Sequence, residues 1–353
     1  MPAASAPTIR SRRQFLTLLG ISAAAVSCGT ATATGGSAPG AGSAAAPGKQ
    51  ITALKYQGAV GAVTPPELAA DLGFLGNLTL DWVGNTISGP QDIQSAATGQ
   101  THFGGAFNGA VVKLAAGKAP VKAVISYYGS DKDTNLGYYV LEDSPIRSAR
   151  DLIGKKVGMN TLGAHAQALL DIYLGRGGLS RADSDKVEAL VVPPVNIEQA
   201  LRQKQIEVGV LSGVLRDKAV ATGGIRPLFS DFDLLGAFSG GTYVMTERFI
   251  KENPDTVRTF VTGVGKALDW ARTTPREEVV ARLTKIVTGR GRNEDTSTLK
   301  YWRSYGVAAP AGRIEEKEFQ LWIDWLAERG EVKKGRLRAA DLFTNEFNAT
   351  GKG

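Results

Sequence analysis

Four short segments place small residues where a helix is due to begin: Ser88-Gly89, Gly105-Ala106-Phe107-Asn108, Thr161-Leu162-Gly163-Ala164-His165 and Ser212-Gly213. The chemistry such starts offer is capture. The first N–H groups of a helix have no internal partner and lie at the positive end of its dipole, so they suit an oxyanion. Glycine also lets a ligand come close to the backbone. A single Ser-Gly pair is ordinarily a cap or turn, whereas four at equivalent places point to a binding site. Phe107, Tyr127, Tyr128 and Tyr243 fall at strand ends or loops beside these starts and can cover an organic tail, although core packing is the commoner use of such rings. The predicted ligand-binding residues are Ser88, Gly89, Phe107, Asn108, Tyr128, Thr161, Leu162, Gly163, His165, Ser212 and Tyr243.

Bond-making chemistry finds little support. There are two histidines, His102 and His165, 63 residues apart, so an imidazole metal cluster is not expected, and no cofactor motif is present. No Gly-x-Ser-x-Gly elbow occurs, no Gly-Lys is followed by Ser or Thr, and neither histidine belongs to a His-Glu-x-x-His helix. The protein reads as a non-enzyme. His102 reads as structural; His165 reads as a ligand contact or as a helix residue bonded to a nearby carbonyl.

The single cysteine, Cys28, follows SRRQFLTLLGISAAAVS. Arg10, Arg12 and Arg13 make a basic start, and an apolar run from Phe15 to Val26 stops at small residues, which is export-signal anatomy. The run falls short of the about 20 apolar residues that a bilayer core of about 30 Å requires. Arg12-Arg13 with Phe15-Leu16 resembles a twin-arginine (Tat) signal, with Sec export as the alternative. Ala25-Val26-Ser27-Cys28 resembles a lipobox, with Ala25 where leucine is commonest; a plain signal with a chance cysteine is the other reading. Residues 29–48 carry no charge and only small or turn-forming side chains, so they cannot bury a core. As a coil they reach on the order of 25 Å. Residues 1–27 are therefore expected to be a signal peptide, and 28–49 a lipidated cysteine and flexible tether. Cys28 would anchor the chain to the extracytoplasmic face of a cell membrane.

Residues 50–353 contain no cysteine, which excludes disulfides and thiolate chemistry there. Export without disulfides calls for a substantial core, and this length can supply one, most naturally as two lobes. The formal charge of +7 falls to +4 without the three signal arginines, and the remaining charges are mixed, so no nucleic-acid partner is expected.

The elements that must position the candidate site alternate. Strands are predicted at 51–57, 78–84, in THFGGAF, at 121–128 and at 137–142, and between them lie a Thr64-to-Glu67 capping box opening a helix, a helix entered at Ser88 through Pro90, and a helix after Asn108. A second series repeats the order from residue 138: a short helix at 148–154, strand KKVGMN, a glycine turn and helix, strand VEALVVPP, helix NIEQALRQKQ, strand IEVGVLSG and helix VLRDKAVATGG. A mostly parallel sheet follows from this alternation. From Thr246 the chain turns mainly helical, in ERFIKENPDTVRTFVTGVGKALDWART, REEVVARLTKIV, LKYWRSYG and EEKEFQLWIDWLAERG.

DSPIRSARDLIGKKV (143–157) resembles a segment of the aliphatic-sulfonate, taurine and nitrate group of ABC-importer substrate-binding proteins. ISGPQDIQSAATGQTHFG, TLGAHAQALL, VVPPVNIEQALRQKQIEVGVL, NPDTVRTFV and RLRAADLFTNEFN resemble further segments in the same order, so the likeness spans roughly 50 to 350. It implies an α/β fold, a two-lobed clamshell of the type II periplasmic-binding class with two crossover hinge strands. One lobe would hold 50–137 plus 239–353 and the other 138–238, with the hinge near Gly137 to Leu141 and Leu235 to Tyr243. His165 falls on the family's His after the small-residue turn, and His102 replaces a usual Asp. Where members often carry Trp-Asp-Pro, this chain has Ser212-Gly213-Val214, which leaves the choice of oxyanion open. The implied function is an extracytoplasmic solute-binding lipoprotein. It would capture a small anionic organic ligand of sulfonate, taurine or nitrate type and deliver it, as a monomer, to an ABC permease with its ATPase. The alternatives are a binding protein for a thiamine-precursor pyrimidine or other aromatic ligand, or an enzyme of the related pyrimidine-synthase type.

Overall fold

The computed structural model describes residues 50–86 and 88–348; the expectations for the signal, Cys28 and the tether lie outside them. The first half alternates as β1 (Ala53–Gly58), α1 (Pro65–Asp71), β2 (Thr79–Asn85), α2 (Gly89–Ala97), β3 (Gly104–Phe107), α3 (Asn108–Ala116) and β4 (Val121–Ser130). The predicted capping box opens α1: the Glu67 N–H donates to the Thr64 hydroxyl oxygen and the Thr64 N–H donates back to the Glu67 carboxylate at 2.9 Å. The second series runs β5 (Gly137–Leu141), β6 (Lys156–Met159), α4 (His165–Arg176), α5 (Arg181–Ser184), β7 (Glu188–Val191), α6 (Pro194–Arg202), β8 (Val208–Leu211), α7 (Gly213–Thr222), β9 (Ile225–Ser230), α8 (Asp231–Leu235) and β10 (Phe238–Thr246). Helices α9 (Glu247–Glu252), α10 (Pro254–Thr273), α11 (Arg276–Gly289) and α12 (Lys317–Glu328) complete the chain.

The strands assort into a parallel pair β1-β2, a three-stranded sheet β3-β10-β4 and a five-stranded sheet β7-β6-β8-β5-β9. The expectation of a mostly parallel sheet needs correcting. β10 runs antiparallel to both β3 and β4, and β5 runs antiparallel to both β8 and β9, while β6 is parallel to β7 and β8. Parallel neighbours require a crossover, usually a helix, and β5 and β10 lack one that stays within their own sheet. Each is the first strand laid down after the chain passes from one sheet to another, so it enters against the local direction. His102 joins the two smaller sheets: the Lys55 N–H donates to its Nδ1 at 2.8 Å and its own N–H donates to the Lys55 carbonyl at 2.9 Å.

Three further corrections have local causes. The helical stretch predicted from Glu247 breaks at Asn253, because Pro254 lacks an N–H and takes the first position of a new helix. LKYWRSYG forms only a 3-10 turn at Leu299–Tyr301, after which Gly306 adopts a left-handed conformation. β9 was not predicted. It contains Pro227, and it is tolerated because β9 is a sheet edge.

One apolar core runs beneath α2, α3, α4 and α12 and joins Ile93, Phe107, Leu169, Phe229 and Trp322. A second packs α10 and α11 against β1 and β4, with Val257, Phe260, Val261, Val264 and Leu268 recurring at helical spacing. The close approach of β4, β10 and the 306 turn is made at Gly129, where an added Cβ would fall inside van der Waals contact of the Phe238 and Gly306 carbonyl oxygens. Gly129→Ala is expected to destabilise the protein by about 1–3 kcal/mol or more, because the obstructing atoms are backbone. Urea unfolding checks this, and an unchanged midpoint would mean that the three segments can separate freely.

Candidate functional site

Phe107 ends β3, Tyr128 lies near the end of β4, and His165 is the first residue of α4. The fold brings all three together. The His165 ring stacks on Phe107 at 5.0 Å between centroids with 6° between planes, and lies 6.1 Å from Tyr128. Phe238 and Trp322 stand edge-on to the imidazole at 5.8 and 6.1 Å. Such enclosure removes water, and burial pushes the His165 pKa down to about 3, so the ring is neutral throughout the physiological range.

The polar face of this aromatic group is Asp231, 1% exposed, at the start of α8. Its Oδ1 accepts from the Ser130 hydroxyl at 2.8 Å and from the Leu136 N–H at 3.0 Å. Its Oδ2 lies 3.6 Å from His165 Nε2, and neither atom has a hydrogen-bond partner. With a neutral imidazole this contact is not an ion pair, and it is too long for a hydrogen bond. Burial pushes the Asp231 pKa up to about 7, against the opposing pull of the Ser130 and Leu136 donors and of Arg216.

Arg216 sits in the first turn of α7, one turn beyond Ser212. Its Nη2 pairs with the Asp217 carboxylate at 2.9 Å and donates to the Asp133 carbonyl at 3.3 Å, while Nε and Nη1 are buried without partners. A guanidinium fork presenting unused donors is well suited to a planar or tetrahedral oxyanion. The neighbouring Val214 packs on the core beneath α10 and α11.

The other predicted residues take varied positions. Gly89 opens α2 against Ala106, where a Cβ would approach within 3.1 Å; Ser88 is the N-cap but its side chain makes no capping bond. Tyr243 is 3% exposed and stacks on Tyr127 at 4.1 Å, and Tyr127 in turn meets Tyr128 edge-on at 4.9 Å. Asn108 is fully buried and ties β10 to α12, its Nδ2 donating to the Ser239 and Glu318 carbonyls at 3.3 Å each. Thr161 and Leu162 lie in the loop before α4, with Leu162 exposed. The Gly163 N–H is already used by the Gln167 carboxamide at 2.6 Å, and its carbonyl accepts from Lys113 at 3.2 Å. Ser212 is an exposed N-cap whose side chain makes no capping bond.

Sequence reasoning missed Asp231, Arg216, Phe238, Trp322 and Asp92. For Asp231 a signal existed, since Ser230 and Asp233 form a capping box that marks a helix start. Asp92, in α2, accepts from the Gly105 N–H at 2.7 Å, and its Oδ1 has no partner. Burial raises its pKa to about 7. Gly105 makes room for the neighbouring rings: a Cβ there would lie 2.8 Å from both Tyr127 and Tyr243. Among the described residues no group of three His, Cys, Asp or Glu side chains is arranged to hold a metal, and no helix is long and apolar enough to cross a membrane.

A family model described as NMT1/THI5 like matches residues 68–278, more than half of the chain. A Brucella abortus (strain 2308) protein named as a binding protein is 26% identical over 208 residues, covering 56% of this chain. The match spans 60% of that relative's length. The periplasmic aliphatic sulphonate binding protein SsuA from Escherichia coli superposes with a TM-score of 0.63 at 21% identity, over 83% of this chain and 92% of that one. The periplasmic nitrate-binding protein NrtA from Synechocystis PCC 6803 does so at 0.66 and 12% identity, over 84% and 87%. The desulfurization enzyme DSZB shares the architecture too, at a TM-score of 0.57 and 14% identity, over 84% and 97%. These likenesses establish the two-lobed α/β fold.

Because the folded pKa of Asp92 is raised to about 7 from 3.8, the folded chain keeps a proton that the unfolded chain releases above about pH 4. The stability this contributes is complete below pH 4 and is lost as pH climbs through 7. Asp92→Asn keeps an acceptor for the Gly105 N–H and cannot ionise. It is expected to exceed the wild type in stability at pH 8, by on the order of a few kcal/mol, and to lose that advantage by pH 4. Urea unfolding at both pH values tests this; a gap that does not depend on pH would show that Asp92 ionises normally.

Proposed function

The chain belongs to the NMT1/THI5-like family, and from that premise we propose that it is a solute-binding lipoprotein of an ABC importer, capturing a small anionic organic ligand between two lobes. The observation that carries this reading is a set of buried, partnerless polar atoms on separate elements: His165 Nε2 and Asp231 Oδ2, 3.6 Å apart beside a wall of aromatic rings, and Arg216 Nε and Nη1 on α7, whose charge acts on Asp231. Such groups are costly to bury unpaired and are worth keeping where a ligand supplies the partner. Sulfonate and nitrate, which the names of SsuA and NrtA specify for those proteins, are planar or tetrahedral oxyanions that match a guanidinium fork and helix N-termini.

In this reading 50–137 plus 239–353 form one lobe and 138–238 the other. The hinge lies near Gly137 to Leu141 and Leu235 to Tyr243, where β4 leads to β5 and β9 leads through α8 to β10. A ligand that touches both lobes favours the closed state, because only differential contact shifts the equilibrium. Thiolate catalysis has no part in it: Cys28 is the sole cysteine, and it serves as the anchor. The protein is exported, tethered by lipidated Cys28 at the extracytoplasmic face, and presents its ligand as a monomer to a permease with its ATPase. Cys28→Ala is expected to move the protein from the membrane fraction to the soluble fraction; retention in the membrane would sink the anchor.

A melting-shift panel of taurine, longer alkanesulfonates, nitrate, bicarbonate, phosphate and hydroxymethyl-pyrimidine tests the ligand class. A ligand at 100 times its Kd stabilises the protein by about 2.7 kcal/mol. An oxyanion class should shift the wild type, and Arg216→Lys, which keeps the charge but loses the fork, should weaken that binding by about tenfold or more. A shift with the pyrimidine alone would overturn the oxyanion reading.

A further inference from the structure

Asp231 faces two ways. Through Oδ1 it holds Ser130, the last residue of β4, and Leu136, which precedes β5, so one oxygen grips both ends of the first crossover. The Asp231 N–H returns a bond to the Leu136 carbonyl at 3.0 Å, and the residue itself begins the second crossover. Through Oδ2 it faces His165 Nε2 across 3.6 Å, both atoms buried and without a hydrogen-bond partner.

We propose that Asp231 and His165 together receive a hydrogen-bond-donating nitrogen of the captured solute, so that the cleft selects amine- or amidine-bearing solutes over their hydroxyl and methyl counterparts. The inference rests on the cleft being a solute site. Two acceptors 3.6 Å apart are too distant to bond each other, yet one nitrogen can stand about 2.9 Å from both and donate to each. A neutral imidazole with its proton on Nδ1 presents Nε2 as an acceptor, and a carboxylate oxygen accepts by nature. A hydroxyl brings one proton for these two acceptors and a methyl brings none, so either analogue leaves a buried acceptor unpaired. Arg216 is held by the Asp217 carboxylate and the Asp133 carbonyl through Nη2 alone, and its partnerless Nε and Nη1 remain for the oxyanion end of the solute. The rings of Phe107, Tyr128 and Trp322 around His165 exclude water from the contact, which strengthens it. Because Oδ1 of the same carboxyl group holds the crossover, the arriving nitrogen also bears on the segments about which the lobes turn.

Calorimetric titration of the purified protein with matched solutes decides the matter: taurine, isethionate and 1-propanesulfonate, which carry an amine, a hydroxyl and a methyl on an ethanesulfonate frame, and ethanolamine, which keeps the amine and replaces the sulfonate by a hydroxyl. The same four are run against Asp231→Asn, whose carboxamide oxygen still accepts from Ser130 and Leu136 while its NH₂ turns a donor toward the solute. The expected result is at least tenfold tighter binding of taurine than of the hydroxyl and methyl analogues. Asp231→Asn should erase that preference and leave 1-propanesulfonate within about twofold. Equal affinity for all three sulfonates would overturn the nitrogen assignment and leave the oxyanion reading standing. Binding of ethanolamine as tight as taurine would support the nitrogen and overturn the oxyanion. No binding of any solute would overturn both. If Asp231→Asn does not fold, the wild-type ranking alone decides.

Discussion

A single carboxyl group joins the two places where the chain passes between its sheets. Asp231 takes bonds from Ser130 and Leu136 on the first passage and stands at the head of the second. Both passages deliver strands, β5 and β10, that run against their neighbours, so the sheets on either side are registered through this contact as well as through their own ladders. The backbone bond from Asp231 to Leu136 makes the junction reciprocal. Three hydrogen bonds made by one residue thus hold the two passages side by side.

Burial then decides the charge state of everything nearby. His165 is pushed down to about 3 and Asp231 up to about 7 by the same removal of water, and Asp92 is raised similarly on the other side of the tyrosine cluster. A histidine beside an aspartate would ordinarily suggest a salt bridge. Here desolvation outweighs their attraction: the imidazole is neutral, and the carboxyl group ionises only near neutral pH. Arg216 keeps the Asp217 carboxylate beside it at 2.9 Å.

Close packing at glycines sets the shape around these groups. Gly105 admits the stacked Tyr127 and Tyr243, Gly129 admits the Phe238 and Gly306 carbonyls, and Gly241 lies against the Tyr128 ring and the Ala106 carbonyl. The aromatic wall can therefore sit directly on strand backbone, with Trp322 of α12 closing it from behind Phe107 at 4.5 Å. Small residues at helix starts thus also serve packing, as Gly105 does in letting the tyrosine rings beside it lie flat.

The alternation of strands and helices, the capping box at Thr64, the starts of α2, α3, α4 and α7, and the buried stripe of α10 were all legible along the chain, because each depends on neighbours within a turn or two. Phe107, Tyr128 and His165 were legible as candidates by type and place. The reversed direction of β5 and β10 was not, because it follows from which sheet a strand enters. Nor was the use of the Gly163 N–H by Gln167, a side-chain choice that competes with ligand at the very start of α4. Asp231 and Arg216 carried no distinguishing pattern strong enough to single them out, since a charged residue near a helix start is ordinarily solvated. What the sequence determined by itself was the order of elements and the residue types at their ends, through local propensity and periodicity. Which of those residues lost water and met in the buried aromatic group was decided by the tertiary structure alone, because burial is set by contacts between segments far apart in the chain.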